Sequence, residues 1–186
     1  MSPTPDIGQA APTFNRQPIF GYTIDSADLT SERPLVLAFL RYPGSSTTRA
    51  TLTELATIWP TLDYNDISML AVIEGDLDAL QDLVPRFHLK FPVIHDDGGL
   101  YEQYGVGRDA SITTAAKSLT PSKIKALINQ TLQTGRGMLN GHYDRLPAVF
   151  VIGVGGEIEW RWDASTFTDT PKVQEIEAAA LSAVAK

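Results

Sequence analysis

The chain has 186 residues, 43% of them hydrophobic and 20% charged, a balance that fits one globular domain and excludes a disordered or fibrous chain. A formal charge of −7 disfavours a grip on nucleic acid or an anionic membrane, and no apolar run reaches the roughly 18 residues of a spanning helix. There is no cysteine, which excludes disulfides, thiolate metal sites and thiol nucleophiles.

The start, Met1 to Asp6, lacks the basic and apolar stretches of a signal peptide, so a cytoplasmic protein is expected. Residues 1–33, rich in Pro, Ser, Thr and Asp, read as an extended arm on a single domain, with one or two short strands expected, around Ile19–Thr23. Leu35–Leu40 is a continuous apolar run, as in a strand buried on both faces. After the turn Tyr42-Pro43-Gly44-Ser45-Ser46, the residues Leu52, Leu55, Ala56 and Trp59 recur at helical spacing, and Pro60 is expected to close that helix. Ile67–Ile73 is the next buried strand. Asp76 then caps a helix whose Leu77, Leu80, Leu83, Val84 and Phe87 share a face, and His88 falls at its C-terminal cap.

Phe91–Ile94 predicts a short strand, stopped by Asp96-Asp97-Gly98-Gly99 and followed by a short helix with Leu100, Tyr101 and Tyr104. Residues 105 to 120 read as a surface excursion, and Thr120-Pro121 starts a helix up to Gly135. Gly135, Gly137 and Gly141 are too irregular for a phosphate loop. Ala148–Ile152 is a further buried strand. It turns at Val154-Gly155-Gly156 into the alternating Glu157–Trp162, an edge strand on which Trp160 and Trp162 share a face as core or dimer contacts. Thr170-Pro171 begins the last helix, with Val173, Ile176, Ala180, Leu181 and Val184 inward. The order βαβα, helical insert, hairpin, helix implies an α/β fold with a mixed central sheet flanked by helices.

Four pieces of the chain carry a family resemblance. They are Gly8–Phe14, with its Ala-Pro and aromatic; Leu35–Pro43; Phe91-Pro92-Val93-Ile94-His95-Asp96 with Tyr104-Gly105-Val106; and Leu146-Pro147-Ala148-Val149-Phe150-Val151-Ile152 with Gly156-Glu157-Ile158. In this order they resemble the alkyl hydroperoxide reductase/thiol-specific antioxidant family, the peroxiredoxins and their relatives. The resemblance implies a thioredoxin-like fold, a thiol-dependent oxidoreductase ancestry, and a cis Pro147 beside the active-site turn whose free backbone edge could pair with an extended peptide.

The sequence departs from that pattern at its chemistry. Arg41-Tyr42-Pro43-Gly44-Ser45-Ser46-Thr47-Thr48-Arg49 resembles a subgroup with Gly followed by Cys-x-x-Cys and Arg, so that Ser45 and Thr48 stand where the sulfurs would be. In the alternative register, Pro43 and Thr47 fit Pro-x-x-x-Thr-x-x-Cys and Ala50 occupies the cysteine position. Neither supplies a thiol. A hydroxyl stays protonated at neutral pH unless a base takes its proton, and oxygen has no counterpart to the sulfenate–disulfide cycle.

Ser45, Ser46, Thr47 and Thr48 read first as helix caps. The functional alternatives are a small anion or polar ligand held there, with Arg41 or Arg49 adding charge, or a serine nucleophile served by His142 and Asp144. By resemblance, Arg145, Leu146 and Pro147 line the same pocket. His95 with Asp96 and Asp97 could mimic a metal cluster, but neighbours on a strand point to opposite faces, so no metal or cofactor is expected. The resulting expectation is a non-catalytic binding or scaffolding derivative of a thiol peroxidase, with a homodimer left open. The rivals are an oxidoreductase whose cysteines have been replaced in this chain, and a hydroxyl-based activity at Ser45.

Overall fold

The computed structural model of the chain describes residues 4–109, 144–166 and 168–184. Near its start, Asn15–Arg16 (β1) pairs antiparallel with Ile24–Asp25 (β2), so the strand expected over Ile19–Thr23 is absent. Those residues bend, and Ile19 N–H donates to Val93 O beside a bridge between Pro18 and Ile94. The stretch read as an extended arm also contains a helix, Ser26–Glu32 (α1). Asp25 caps it by accepting from Ala27 N and Asp28 N at 2.9 and 3.4 Å. Apolar periodicity could not show α1, because the side chains it buries are Ser26 and Thr30.

Five strands form the central sheet: Leu35–Leu40 (β3), Ser68–Ile73 (β4), Val93–His95 (β5), Ala148–Ile152 (β6) and Ile158–Asp163 (β7). Their order is β5-β4-β3-β6-β7, with β3, β4 and β5 parallel and β6 and β7 antiparallel. Ser46–Tyr64 (α2) and Leu77–Arg86 (α3) make the crossovers, Gly99–Gln103 (α4) follows β5, and Val173–Val184 (α5) ends the description. Helices on both faces explain why β3 is buried at every position. Val36, Ala38 and Leu40 belong to the core shared with α2 and α5. Leu35, Leu37 and Phe39 face the other way, where the Phe39 ring meets Tyr101 and Tyr104 at 5.1 and 5.0 Å. The α/β architecture with a mixed sheet is the one the sequence predicts.

Several local expectations change. Pro60 lies inside α2 and does not close it, because the next turn buries Leu62 completely. α2 runs on to Tyr64, and past its cap Asn65 the chain reverses at Asp66, φ +56°, where Asp66 N reaches Asp63 O and Ile67 N reaches Leu62 O at 3.2 and 2.9 Å. α3 ends the same way at His88, φ +50°, so His88 caps through its backbone. The pairing of β6 with β7 shifts register between Val151 and Ile152, opposite Trp160 and Ile158, and this places Ile158 and Trp160 on opposite faces despite their even spacing. Trp160 and Trp162 do share a face, packed against the α2 and α5 side of the core. Val184 points to solvent, 47% exposed, while Ala183 beside it stays in the core. The helix expected after Thr120-Pro121 and the glycines 135, 137 and 141 lie outside the described residues.

Candidate functional site

β3 delivers Arg41 to the C-terminal end of the parallel strands, the end where open α/β sheets bind ligands. The chain then turns through Tyr42, Pro43 and Gly44, with Ser45 N–H donating to Tyr42 O at 3.0 Å. Ser45 takes the N-cap position of α2 with φ −67° and ψ 131°, yet its side chain caps nothing. The Ser45 hydroxyl accepts from Arg41 Nη1 at 3.3 Å and lies 2.7 Å from Thr47 Oγ1. The capping reading of the four hydroxyls therefore fails at the N-cap itself, since Arg41 and Thr47 compete for the group that would have capped. Arg49 braces the turn by donating from Nε to Pro43 O at 3.2 Å.

Ser45 and Thr48 are both buried, whereas Ser46 and Ala50 are exposed and Thr47 half-buried. The cysteine position of the alternative register thus faces solvent. Thr48 Oγ1 is enclosed without a hydrogen-bond partner, a condition that costs about 1–3 kcal/mol for a polar group.

Arg145 approaches the turn from the start of β6. Its carbonyl accepts from Arg41 Nε at 3.1 Å, which fixes the Arg41 side chain beneath the turn. Its guanidinium is buried, pairs with Glu74 through Nε at 2.9 Å and through Nη2, and lies 4.5 Å over the Tyr101 ring. Glu74 Oε2 is left without a partner. The Tyr101 hydroxyl reaches Leu40 O and Val72 O at 2.5 and 2.8 Å, the last turns of β3 and β4. Burial first, then the Glu74 charge, push the Tyr101 phenol well above its ordinary pKa, so it remains a donor. Burial pulls the Arg41 guanidinium downward, opposed by Tyr42, Asp109 and Asp144.

The peptide bond before Pro147 is trans, as are all those described, contrary to the cis bond that the resemblance implied. The backbone edge there is also in use. Leu146 N–H donates to Gly107 O at 3.1 Å, Pro147 O accepts from Ala164 N at 3.0 Å, and Arg108 bridges Arg145. The chain's own residues 107–109 and 164 thus fill the edge. Asp144 pairs with Arg108 at 3.5 Å and does not reach Ser45, while His142 lies outside the described residues. His95 Nε2 sits 2.8 Å from Gly75 O. Asp96 is buried and accepts from Gly98 N and Leu100 N, while Asp97 is exposed, so that trio shares no site. Sequence reasoning missed Glu74 and Tyr101. The available signal was a lone carboxylate directly after the apolar run of β4.

A family model described as AhpC/TSA matches residues 7–161. The chain belongs to the AhpC/TSA family. Solved structures with the same thioredoxin-like fold include a yeast mitochondrial 1-Cys peroxiredoxin, at 16% identity and a TM-score of 0.64, over 92% of this chain and 73% of that one. The reduced 2-Cys peroxiredoxin of Plasmodium vivax aligns at 12% identity and a TM-score of 0.65, over 92% and 78%. A secreted disulfide oxidoreductase of Mycobacterium tuberculosis, homologous to DsbE of E. coli, aligns at 16% identity and 0.59, over 91% and 95%. No curated protein matches the sequence. At such identities the likeness is one of fold. Within the AhpC/TSA family, this member carries Ser45 and Thr48 at a turn that has no sulfur.

Proposed function

We propose that this AhpC/TSA chain is a non-catalytic binding derivative of a thiol peroxidase, with the first turn of α2 as its binding site. The observation that carries this reading is the buried, cysteine-free turn in which Ser45 engages a guanidinium. An arginine beside Ser45 donates a hydrogen bond and takes no proton, so the hydroxyl has no general base among the described residues and a nucleophilic role is disfavoured. A small anion suits the site better than an extended peptide, because residues 107–109 and 164 already occupy the edge beside Pro147.

A peroxide-consumption assay with a thiol reductant tests the reading. The chain should consume no more peroxide than buffer, and turnover above that background would refute it. The scaffold itself is tested by Ser45→Cys combined with Thr48→Cys. The first thiol is expected to titrate below the roughly 8.5 of a free cysteine, because a helix N-terminus favours thiolate. A thiol of ordinary acidity would show that the turn is not shaped for sulfur chemistry.

A further inference from the structure

The N-terminal end of β5 lies at the opposite end of the parallel strands from the Ser45 turn. There α3 gives way to His88, φ +50°, and Leu89 N–H donates back to Val84 O at 3.3 Å, which holds Leu89 against the last turn of α3. From the other side comes the bend Gln17–Gly21, closed by Gln17 Nε2 donating to Gly21 O at 3.2 Å. Between the two is a cavity of about 270 Å³, with Ile19, Phe20, Val84, Leu89 and Phe91 in its wall and Lys90 as the one charged residue lining it. Phe91 is buried and belongs to the core, whereas Phe20 stands 57% exposed at the rim.

We infer that this cavity binds the monoanion of a free medium-chain fatty acid of about eight carbons, with its alkyl tail inside and its carboxylate at Lys90. Size follows from the volume, which admits about nine non-hydrogen atoms at the roughly 30 Å³ a water-sized group takes in a liquid. The backbone excludes an added strand. Pro92 has no N–H, its carbonyl accepts from Ala71 N at 3.1 Å, and the Val93 carbonyl accepts from Ile19 N at 2.8 Å, so apolar contact must hold the occupant. Charge sets the other end. In a chain of net charge −7, Arg86, His88 and Lys90 stand exposed together, and none has a carboxylate within 4.0 Å among the described residues. A second copy across a two-fold axis would set this basic stretch against itself, whereas an anionic head complements it. The site is separate from the α2 turn and stands whether or not the reading proposed there holds.

The test is a titration of the isotopically labelled full chain with sodium octanoate at fixed ionic strength, followed by NMR of amide and methyl groups. Saturable shifts are expected at Ile19, Val84, Leu89 and Val93, with a dissociation constant of about 1 mM, ordinary for a ligand of this size. The exposed Val154 and the Ser46–Thr48 amides should not move. Affinity should rise about fourfold per methylene from butanoate to octanoate and level off once the cavity is full. Lys90→Gln, a change at an exposed position, should weaken octanoate about threefold to fivefold and leave octan-1-ol unaffected. No saturation by about 20 mM octanoate would overturn the inference, as would equal shifts at Val154 or shifts centred on Ser46–Thr48. Affinity that climbs without a plateau, or a Lys90→Gln chain that titrates unchanged, would overturn it too. A dimer in sedimentation that protects the Leu89–Val93 amides from exchange would make a second copy the occupant and overturn it as well.

Discussion

Asp76 and Ser45 introduce their helices with nearly the same backbone, φ −71° and ψ 123° against φ −67° and ψ 131°, and each follows a parallel strand of the sheet. Their side chains part company. Asp76 accepts from Ala79 N at 2.9 Å and completes the α3 start within its own turn. Ser45 turns to Arg41, and Arg41 in turn is held by the Arg145 carbonyl, 104 residues along the chain. A helix start that serves only the fold closes on itself. The start of α2 stays open and is maintained from a distance, which is how the same backbone geometry can carry a site.

Removing the Arg145 side chain, whose residue supports Arg41 from a distance, gives the largest expected effect. Arg145→Met strands the buried Glu74 carboxylate and should lower stability by about 3–5 kcal/mol in urea unfolding. Adding Glu74→Leu should recover most of the loss, since the pair would then be replaced by apolar groups. A single-variant loss below about 1 kcal/mol would mean that the buried Glu74–Arg145 pair does not hold this end of the sheet together. Asp76→Ala comes next, at about 1 kcal/mol, with faster amide exchange confined to the first turn of α3. Exchange that also quickens at Thr48–Leu52 would break the contrast between a self-contained start and an open one.

The smallest effect concerns α1, whose cap resembles that of α3. Hydrogen bonds from Ala27 N and Asp28 N, with the Asn15 side chain, lower the Asp25 pKa below its ordinary 3.8. Below 3.8 the unfolded chain holds more protons at this position than the folded one, so the contribution of the cap is present above 3.8 and fades as pH falls through the lower folded value. Asp25→Asn should flatten the acid limb of the stability–pH curve in that window. An unchanged limb would show that the Asp25 cap adds nothing.

Much of this molecule was legible because its signals are local. β3, β4 and β6 are unbroken apolar runs, and Asp76 stands directly before the periodic Leu80 and Leu83. α1 was missed because Ser26 and Thr30 are what it buries, so its polar face toward the core defeats a hydrophobic pattern. The even spacing of Ile158 and Trp160 misled because the register slips between them, and no side-chain pattern records a bulge. The ten residues from Arg41 to Ala50 marked the candidate site. They could not show that Ser45 would face Arg41 and leave its helix uncapped, nor that Glu74 and Arg145, 71 positions apart, would meet beneath it. Partnerships of that range depend on the finished sheet.

The opening residues form their own long-range contacts, Gly8 N–H to Ile158 O and Ile19 N–H to Val93 O. β5 and β7 are the two outer strands of the sheet, and residues 8–19 take up hydrogen-bonding groups there that would otherwise face a neighbouring copy.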